Sequence, residues 1–557
     1  MTTIDVLSFI RLLISMKLSV CTTLISLSLM VGCQSTSLPT TDNVNPSSQN
    51  TPVVSSDSTN QVSVCPSLGI QPVTVTVSEL WSEGAVVTDA YSGNIAQVKN
   101  GQITLTPSRH SGGLLLLESS SVQEAEAEKR DFQWQSATFY HIATDRFYNG
   151  NSWNDHSYGR QTSVQGFKGG DIAGLTQKLD YLAELGVDVL WISTPLEQVH
   201  GWLPGKNGNT PEYPYAGGAT LDWTQLDTNI GSEQEMRAFV DLAHQLGMRV
   251  VWSIDTTPSQ PSLADLQQFS IQPKDSSELP SYWNDWHPKE GQNLTHYLDA
   301  FKGEDGQVPQ WWSSDWFNPN YEGIVSTPTF FTNKPTTAVT QESKEKEALL
   351  TQWITSWVSK FGIDGIVLSQ STPQLTKQFE KQGSKAFEAW KKDNQYKALE
   401  GSSFIVIDLE NNNHFIPQTQ SIESQCKTQL SAQTTIENKV AMNALTWFDK
   451  DKQQALTTDN YAQYRDAASA LLLSHDSISI WYGDESAKPG DLYSMMNWED
   501  ATGLNWSLRS HWKKLLSFRS NHTAISQGDY QVVKQVPYYA VIRKNESDKV
   551  MIVYTGE

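Results

Sequence analysis

The chain has 557 residues, of which 38% are hydrophobic and 18% charged, as in a globular protein large enough for more than one domain. Forty basic and sixty-one acidic residues give a formal net charge of −21, which argues against a surface that neutralises nucleic-acid phosphates. The twenty tryptophans are many for this length: they fill cores, or they present flat apolar rings on which sugars stack.

The N-terminus carries a targeting segment. Lys17 precedes an apolar run that ends in small residues and Cys33, and the run is shorter than a membrane-spanning helix. This pattern predicts a lipoprotein signal over residues 1–32 with a lipid on Cys33, and a plain secretory signal cut nearby is the alternative. Because Gln34 follows rather than aspartate, we expect an outer-membrane lipoprotein of a Gram-negative-type envelope that touches the membrane through its lipid alone, or else a periplasmic protein.

A polar tether and a β-rich module come next. Residues 33–60 are Ser, Thr, Asn and Pro with almost no apolar content, so they predict a disordered tether. Short β-type runs fill residues 61–131, where Asn100-Gly101 between two alternating runs predicts a tight hairpin. We therefore expect a small N-terminal β-sandwich.

The middle of the chain repeats one unit three times: an amphipathic helix, a glycine and a buried strand. Asp171 as N-cap and a Ser232/Glu235 capping box predict the starts of two helices. The glycines that end the three helices are Gly186, Gly247 and Gly362. This order is typical of a parallel barrel, which predicts an α/β fold, a (β/α)8 barrel over residues 132–522.

Two parts of the barrel are irregular in sequence. Residues 256–345 are too long for a plain loop and predict an inserted excursion after the third strand. Residues 411–425 are short and polar, and give no convincing sixth strand. After the last barrel helix, residues 523–557 predict an abbreviated C-terminal β-domain.

Two long segments carry a family resemblance. They read ATFYHIATDRFYNGNSWND from Ala137 and GFKGGDIAGLTQKLDYLAELGVDVLWISTPLEQVHGW from Gly166. Both resemble the α-amylase family (glycoside hydrolase family 13), and within it the bacterial periplasmic α-amylases, over about residues 61–557. The resemblance implies a TIM barrel of carbohydrate metabolism, and an N-terminal module that either binds glucan or only packs.

The positions that carry chemistry in this family hold other residues here. Retaining cleavage needs two carboxyl groups about 5 Å apart. By resemblance, the family's catalytic and supporting positions at the strand ends are occupied by Ser253, Val367, Ser369, Leu409 and Phe448. Asp449 keeps an aspartate slot, and Glu410 lies one residue late, so it faces the site only if its strand bulges. We expect hydrolysis in the family's usual manner to be lost, because Ser369 has no neighbouring base.

Three functions stay open. The leading interpretation is a non-hydrolytic pseudoenzyme that binds α-1,4-glucans or maltodextrins. The first alternative is a glycoside hydrolase on α-glucans with displaced carboxylates, Glu410 and Asp449, with Asp255 and Asp408 also near strand ends; such carboxylates otherwise hold loops in place. The second is a protein–protein interaction module on an amylase scaffold, whose partners the sequence does not name.

The resemblance also implies a calcium loop after the first strand. Its oxygen ligands map to Asn149, Asn151, Asn154, Asp155, the Gly169 carbonyl and Asp171. Such a set can supply the six to eight oxygens that calcium takes. Asn149 stands where relatives carry an acid, and an Asn/Gly turn held by its own hydrogen bonds is the alternative.

Two further features depend on the compartment and the excursion. Cys65 and Cys426 predict a disulfide in an oxidising compartment, and the resembling amylases bridge the corresponding cysteines; two buried thiols are the alternative. Within the excursion, Trp311, Trp312 and Trp316 either stack on glucose rings or pack inside the excursion itself.

Overall fold

The computed structural model describes residues 68–119, 132–155, 168–198, 203–204, 211–212, 220–256, 341–369, 371–395, 397–419, 440–445, 456–499, 503–534 and 536–556. The chain divides into two compact units, Met1–Val62 and Ser63–Glu557, and every described residue belongs to the second. In these ranges, no helix is long and apolar enough to cross a membrane. Several predicted features lie outside them: the signal and tether, Cys33, Cys65, Cys426, Trp311, Trp312, Trp316, Phe448 and Asp449.

The first five strands form the N-terminal β-region. They are β1 (Val73–Thr76), β2 (Val86–Asp89), β3 (Ile95–Gln97), β4 (Gln102–Leu105) and β5 (Leu114–Ser119). The predicted hairpin at Asn100-Gly101 is confirmed: both residues have positive φ, 53° and 70°, and the flanking Lys99 and Gln102 exchange backbone hydrogen bonds. Two consecutive residues with positive φ match the right-handed twist of the strands that they join.

The barrel and its excursions supply twelve strands. They are β6 (Thr138–Ile142), β7 (Val189–Ile192), β8 (Leu196–Gln198), β9 (Leu203–Pro204), β10 (Pro211–Glu212), β11 (Thr220–Leu226), β12 (Arg249–Asp255), β13 (Gly365–Ser369), β14 (Ile405–Asp408), β15 (Phe415–Thr419), β16 (Val440–Ala444) and β17 (Ser477–Trp481). Eight of them form one parallel sheet in the order β14-β13-β12-β7-β6-β17-β16-β15, so the last barrel strand pairs with the first. The predicted parallel barrel is therefore confirmed.

Nine α-helices lie in the described ranges. They are α1 (Thr144–Phe147), α2 (Ile172–Gln177), α3 (Leu179–Leu185), α4 (Glu233–Gln245), α5 (Gln341–Phe361), α6 (Pro373–Asp393), α7 (Tyr461–Leu472), α8 (Gly503–Asn521) and α9 (Thr523–Gln527). The Asp171 cap and the Ser232/Glu235 capping box are both present. Gly186, Gly247 and Gly362 have φ of 94°, 83° and 73°, which lets the chain turn from helix into strand.

The sixth barrel strand, which the sequence pattern does not reveal, is β15. It is five residues long and contains Pro417, and only Phe415 among its apolar residues is fully buried. Its position comes from pairing with β16 in register, Phe415 opposite Val440, and from the Phe415 ring packing edge-on against Phe139 inside the barrel. Neighbouring strands therefore specify this one more than its own composition does.

The two ends of the chain share a second sheet. The last strands are β18 (Asp529–Lys534), β19 (Tyr539–Lys544) and β20 (Lys549–Tyr554). They join the N-terminal strands in the order β18-β19-β20-β5-β2-β3, with β20 antiparallel to β5. Strands that the sequence assigned to separate N-terminal and C-terminal domains thus lie side by side in one sheet.

Strand β5 of this shared sheet is buried on both faces. Leu115 and Leu117 of β5 pack with β1 and β4, whereas Leu114 and Leu116 belong to the main barrel core. At the barrel side, the Tyr91 hydroxyl is 2.8 Å from Nδ1 of His511. Packing against the barrel is therefore one role of the N-terminal strands.

A buried histidine also connects the sheet to the barrel. Nε2 of His522 donates to Glu118 of β5 at 2.7 Å, and Nδ1 donates to Asp548 at 2.9 Å. Burial by itself lowers the pKa of His522, but the hydrogen bonds and charges of Asp548 and Glu118 outweigh it and raise the pKa to about 9. The imidazolium is thus the form that the fold stabilises.

We predict that His522→Gln removes a pH-dependent part of the stability. Because the folded pKa lies above the ordinary 6.5, this stabilisation is complete below pH 6.5 and is lost as the pH rises through about 9. Its size is on the order of 3 kcal/mol. Thermal unfolding at pH 6 and pH 9.5 should show the wild type losing its advantage over the variant; an equal response of both proteins to pH would contradict the assignment.

Candidate active site

The strand ends at the barrel mouth place side by side the residues that, by resemblance, stand at the family's reactive positions. Ser253 of β12 pairs with Val367 of β13, and Asp255 pairs with Ser369. On the other side of β13, Val367 pairs with Ile407 of β14. In a parallel ladder these partners lie on the same face of the sheet, here the barrel interior.

The barrel interior around these positions is apolar. Its buried cluster consists of Trp134, Ala137, Phe139, Val189, Trp191, Val251, Val367, Ile405, Ile407, Phe415 and Met442. Val367 is 2% exposed within this cluster, and Leu409 packs against it. The slots that by resemblance hold an arginine and an acid are therefore filled by hydrocarbon.

The serine in the third strand has a hydrogen-bond partner of its own. Nε1 of Trp191, a fully buried side chain, donates to Oγ of Ser253 at 2.8 Å. The imidazole of His141 stacks on the Trp191 ring, with centroids 3.9 Å apart and planes 3° apart, and meets Trp481 edge-on at 4.4 Å. Three aromatic rings from the first, second and eighth strands thus form a floor below the mouth.

His141 is not an acid or base for chemistry near neutral pH. Burial lowers its pKa to about 3, so the ring is neutral over the physiological range. No motif in the sequence marks His141, although its position two residues after Phe139 in β6 puts both side chains on the interior face.

Asp255 is a carboxylate next to the nucleophile position. It ends β12, it is half-buried, and its backbone partner in β13 is Ser369, which is also half-buried. One carboxylate does not make the pair that glycoside cleavage needs. Asp449, the other carboxylate that the sequence predicts for the site, lies outside the described residues.

Asp408 builds a turn. It is fully buried, and its carboxylate accepts hydrogen bonds from the Thr376 hydroxyl at 2.5 Å, the backbone N–H groups of Glu410 and Asn411, and Nδ2 of Asn411. Thr376 belongs to α6, so Asp408 faces the helix ring outside the barrel. Asp408 thus holds the loop after β14.

Glu410 follows the end of the strand in that turn and is exposed. The pairing of β13 with β14 is regular up to Leu368 opposite Asp408, and the N–H of Leu409 then donates to the Leu368 carbonyl. The described register shows no bulge here, the condition under which Glu410 was expected to face the site. In the absence of that shift, Leu409 occupies the inward position.

The predicted calcium residues come together in the loop after β6. Nδ2 of Asn149 donates to Asp155 at 2.7 Å, and Nδ2 of Asn154 donates to Asp171 at 3.2 Å. A Cβ on Gly169 would lie 2.5 Å from both Asn149 Nδ2 and Asp155 Oδ1, so only glycine fits against them. The amide and carboxylate side chains of this loop carry oxygens of the kind that calcium takes.

Asp171 has a second task in this loop. One carboxylate oxygen accepts from the backbone N–H groups of Gly150 and Gly174, and the other accepts from the N–H of Asn151. It therefore fastens the loop to the N-terminus of α2, where a carboxylate is also favoured by the helix dipole. The loop has internal hydrogen bonds as well as the oxygen donors of a metal site.

Comparison with known proteins places this geometry in context. A family model for the α-amylase catalytic domain matches residues 141–370. The periplasmic α-amylase of Escherichia coli K12 is 33% identical across 88% of this chain and 82% of its own length. A cyclomaltodextrinase from a Bacillus species is 22% identical across 76% of this chain and 73% of its own length. The structure of the Geobacillus thermoleovorans α-amylase in complex with acarbose has a TM-score of 0.46 at 17% identity, covering 75% of this chain and 86% of its own.

We predict that Val367→Arg destabilises the protein, because it places a guanidinium in the apolar interior without a partner. The expected loss is on the order of 3–5 kcal/mol. Adding Ser253→Asp, its neighbour across the β12–β13 ladder, should recover part of the loss by pairing the charge. Thermal unfolding measures both effects.

Val367→Met serves as the control for side-chain volume without charge. If Val367→Arg alone unfolds at the wild-type temperature, the position of Val367 is accessible to water, and the prediction of a closed apolar interior is wrong.

Proposed function

Because the chain belongs to the α-amylase family, we propose that it keeps a glucan-directed barrel and has lost the family's hydrolysis. One observation carries this proposal: the inward positions at the ends of β12, β13 and β14 hold Ser253, Asp255, Val367, Ser369 and Leu409, with a single carboxylate among them. In their place the family's chemistry needs carboxylates and an arginine. The protein then acts by binding α-1,4-glucans or maltodextrins without cutting them.

The chemistry supports loss of turnover more than slow turnover. A serine is a weak nucleophile unless a base activates it, and Val367, which faces inward two residues before Ser369, supplies neither a proton acceptor nor a positive charge. Removal of an essential nucleophile commonly costs about 10⁴-fold or more in rate. Asp255 beside Ser369 is the observation that favours the competing function, hydrolysis by displaced carboxylates.

The proposed location is the cell envelope. The E. coli relative is a periplasmic enzyme by its name, which supports a periplasmic or envelope location here. The N-terminal pattern ending at Cys33 refines the proposal to a lipoprotein of the outer membrane. A tethered, non-cutting protein of this kind would hold maltodextrins at the membrane surface.

The hydrolysis experiment is a long incubation of the purified protein with maltoheptaose, followed by chromatography. We expect no products above a buffer control, because the described strand ends lack the carboxylate pair. The same incubation is made with Asp255→Asn, Glu410→Ala and Asp449→Asn. Turnover by the wild type that one of these variants abolishes would establish a rebuilt active site and overturn the proposal.

A binding experiment distinguishes a glucan-binding protein from a protein-interaction module. Calorimetric titration with maltoheptaose should show saturable binding without turnover. Absence of binding to maltoheptaose and to amylose, together with absence of products, would favour a protein-interaction module that no longer uses carbohydrate.

We also propose that the loop after β6 holds a structural calcium ion through Asn149, Asn151, Asn154, Asp155 and the Gly169 carbonyl, with Asp171 fixing the loop. The ion would stabilise the fold without taking part in a reaction. The support is the close packing of Asn149 and Asp155 around Gly169. Asn149 contributes no charge, so the site should be weak.

We predict that Asn149→Asp strengthens calcium binding, because it adds a negative ligand to the set. The unfolding temperature with calcium minus that with chelator should be a few degrees in the wild type and larger in the variant. Asp529→Asn, on the exposed edge strand β18, is the control for a change of charge elsewhere. Equal unfolding temperatures with calcium and with chelator in both proteins would mean that hydrogen bonds alone hold the loop.

A further inference from the structure

Two tryptophans depart from the general burial of this residue type in the described ranges. Trp153 is 91% exposed and Trp506 is 54% exposed, whereas rings such as Trp191, Trp252 and Trp512 are buried completely. Core filling accounts for the buried rings. It does not account for Trp153, whose ring stands almost entirely in solvent.

The loop presents Trp153 on a fixed backbone. The residue lies in a short 3-10 turn, Ser152–Asn154, whose start is capped by Oδ1 of Asn151 accepting from the Trp153 N–H at 3.2 Å. The Asp171 carboxylate accepts a hydrogen bond from the N–H of Asn151 at 2.9 Å, and the same residue is the N-cap of α2. Because the turn is already ordered, a ligand that stacks on the indole pays little for ordering the backbone.

The surroundings of Trp153 suit a neutral, hydroxyl-rich ligand. Asn151 and Ser152, next to Trp153 in sequence and not buried, carry an amide NH2 and a hydroxyl that can hydrogen-bond a ligand. The net charge of −21 disfavours phosphorylated ligands over neutral ones. A pyranose ring combines an apolar face for the indole with hydroxyl groups for the neighbouring amides.

The position of the loop places this ring on the functional face of the barrel. Loops that follow barrel strands lie at the carboxyl ends of those strands, and Trp153 is in the loop after β6. Ser369 and Asp255 end their strands at the same face. A glucan on Trp153 would therefore lie on the mouth side of the barrel, outside the altered catalytic positions.

We propose that Trp153 is a stacking platform for an α-glucan chain at the rim of the barrel mouth. The proposal rests on the proposed glucan binding and adds the residue that carries it. A single exposed indole at the centre of a small contact surface is the kind of side chain that dominates binding energy.

The test compares the full-length protein with Trp153→Ala, Trp153→Phe and Trp506→Ala. Affinity is measured by calorimetry with maltoheptaose and by electrophoretic retardation in gels that contain amylose. We expect about tenfold weaker binding for Trp153→Ala, near wild-type binding for Trp153→Phe, which keeps an aromatic face, and no change for Trp506→Ala. Unfolding temperatures should be equal in all four proteins, because the Trp153 ring makes few contacts.

The outcomes separate this inference from the proposed function. If the wild type binds glucan and Trp153→Ala binds equally well, the platform lies elsewhere and the inference is overturned, while glucan binding stands. If the wild type binds neither glucan, both fail. A parallel titration with anionic phospholipid vesicles tests the competing occupant: a loss of vesicle binding in Trp153→Ala, without a loss of glucan binding, assigns the ring to the membrane surface and overturns the inference.

Discussion

The two-residue alternation of side chains along hydrogen-bonded parallel strands is the constraint on which the interpretation of this barrel depends. Once β12, β13 and β14 pair in continuous register, the inward side chains are fixed as Ser253, Val367 and Ile407, and the strands cannot slip by one residue without turning the core outward. The proposed loss of hydrolysis rests on that register, because no carboxylate of the outward face can reach the mouth by a small shift.

The interior then adapts to the absence of charge. Buried acids and a buried arginine, which the family's chemistry needs, cost desolvation free energy unless each charge is paired. Here the same volume is closed by Val367, by the Trp191–Ser253 hydrogen bond and by the neutral His141 stacked on Trp191. The described floor is thus packed like an ordinary protein core, and the proposed glucan contact lies on a loop of the rim.

Those loops are held by carboxylates that serve structure. Asp408 organises the turn after β14, and Asp171 joins the loop after β6 to the N-terminus of α2. The second of these fixes the turn that exposes Trp153, so one buried carboxylate determines both the proposed metal loop and the proposed sugar platform. Away from the barrel mouth, β5 pairs with β20 in the shared sheet. His522 connects this sheet to the barrel through hydrogen bonds to Glu118 and Asp548.

The sequence by itself determined the parts whose signals are local. Helix caps at Asp171 and Ser232, the helix-ending glycines and the Asn100-Gly101 hairpin depend on a few consecutive residues, and the structure has all of them. The sequence also predicts, by resemblance, that Ser369 and Val367 stand at the family's reactive positions. Only the tertiary structure decided the rest. Strand β15 exists through its pairing with β16. Strands β5 and β20 share a sheet through pairs more than four hundred residues apart in sequence, such as Leu117 with Met551. Asp408 faces a helix because β14 keeps its register. Such pairings are non-local, and a short polar segment carries no pattern that names its partner.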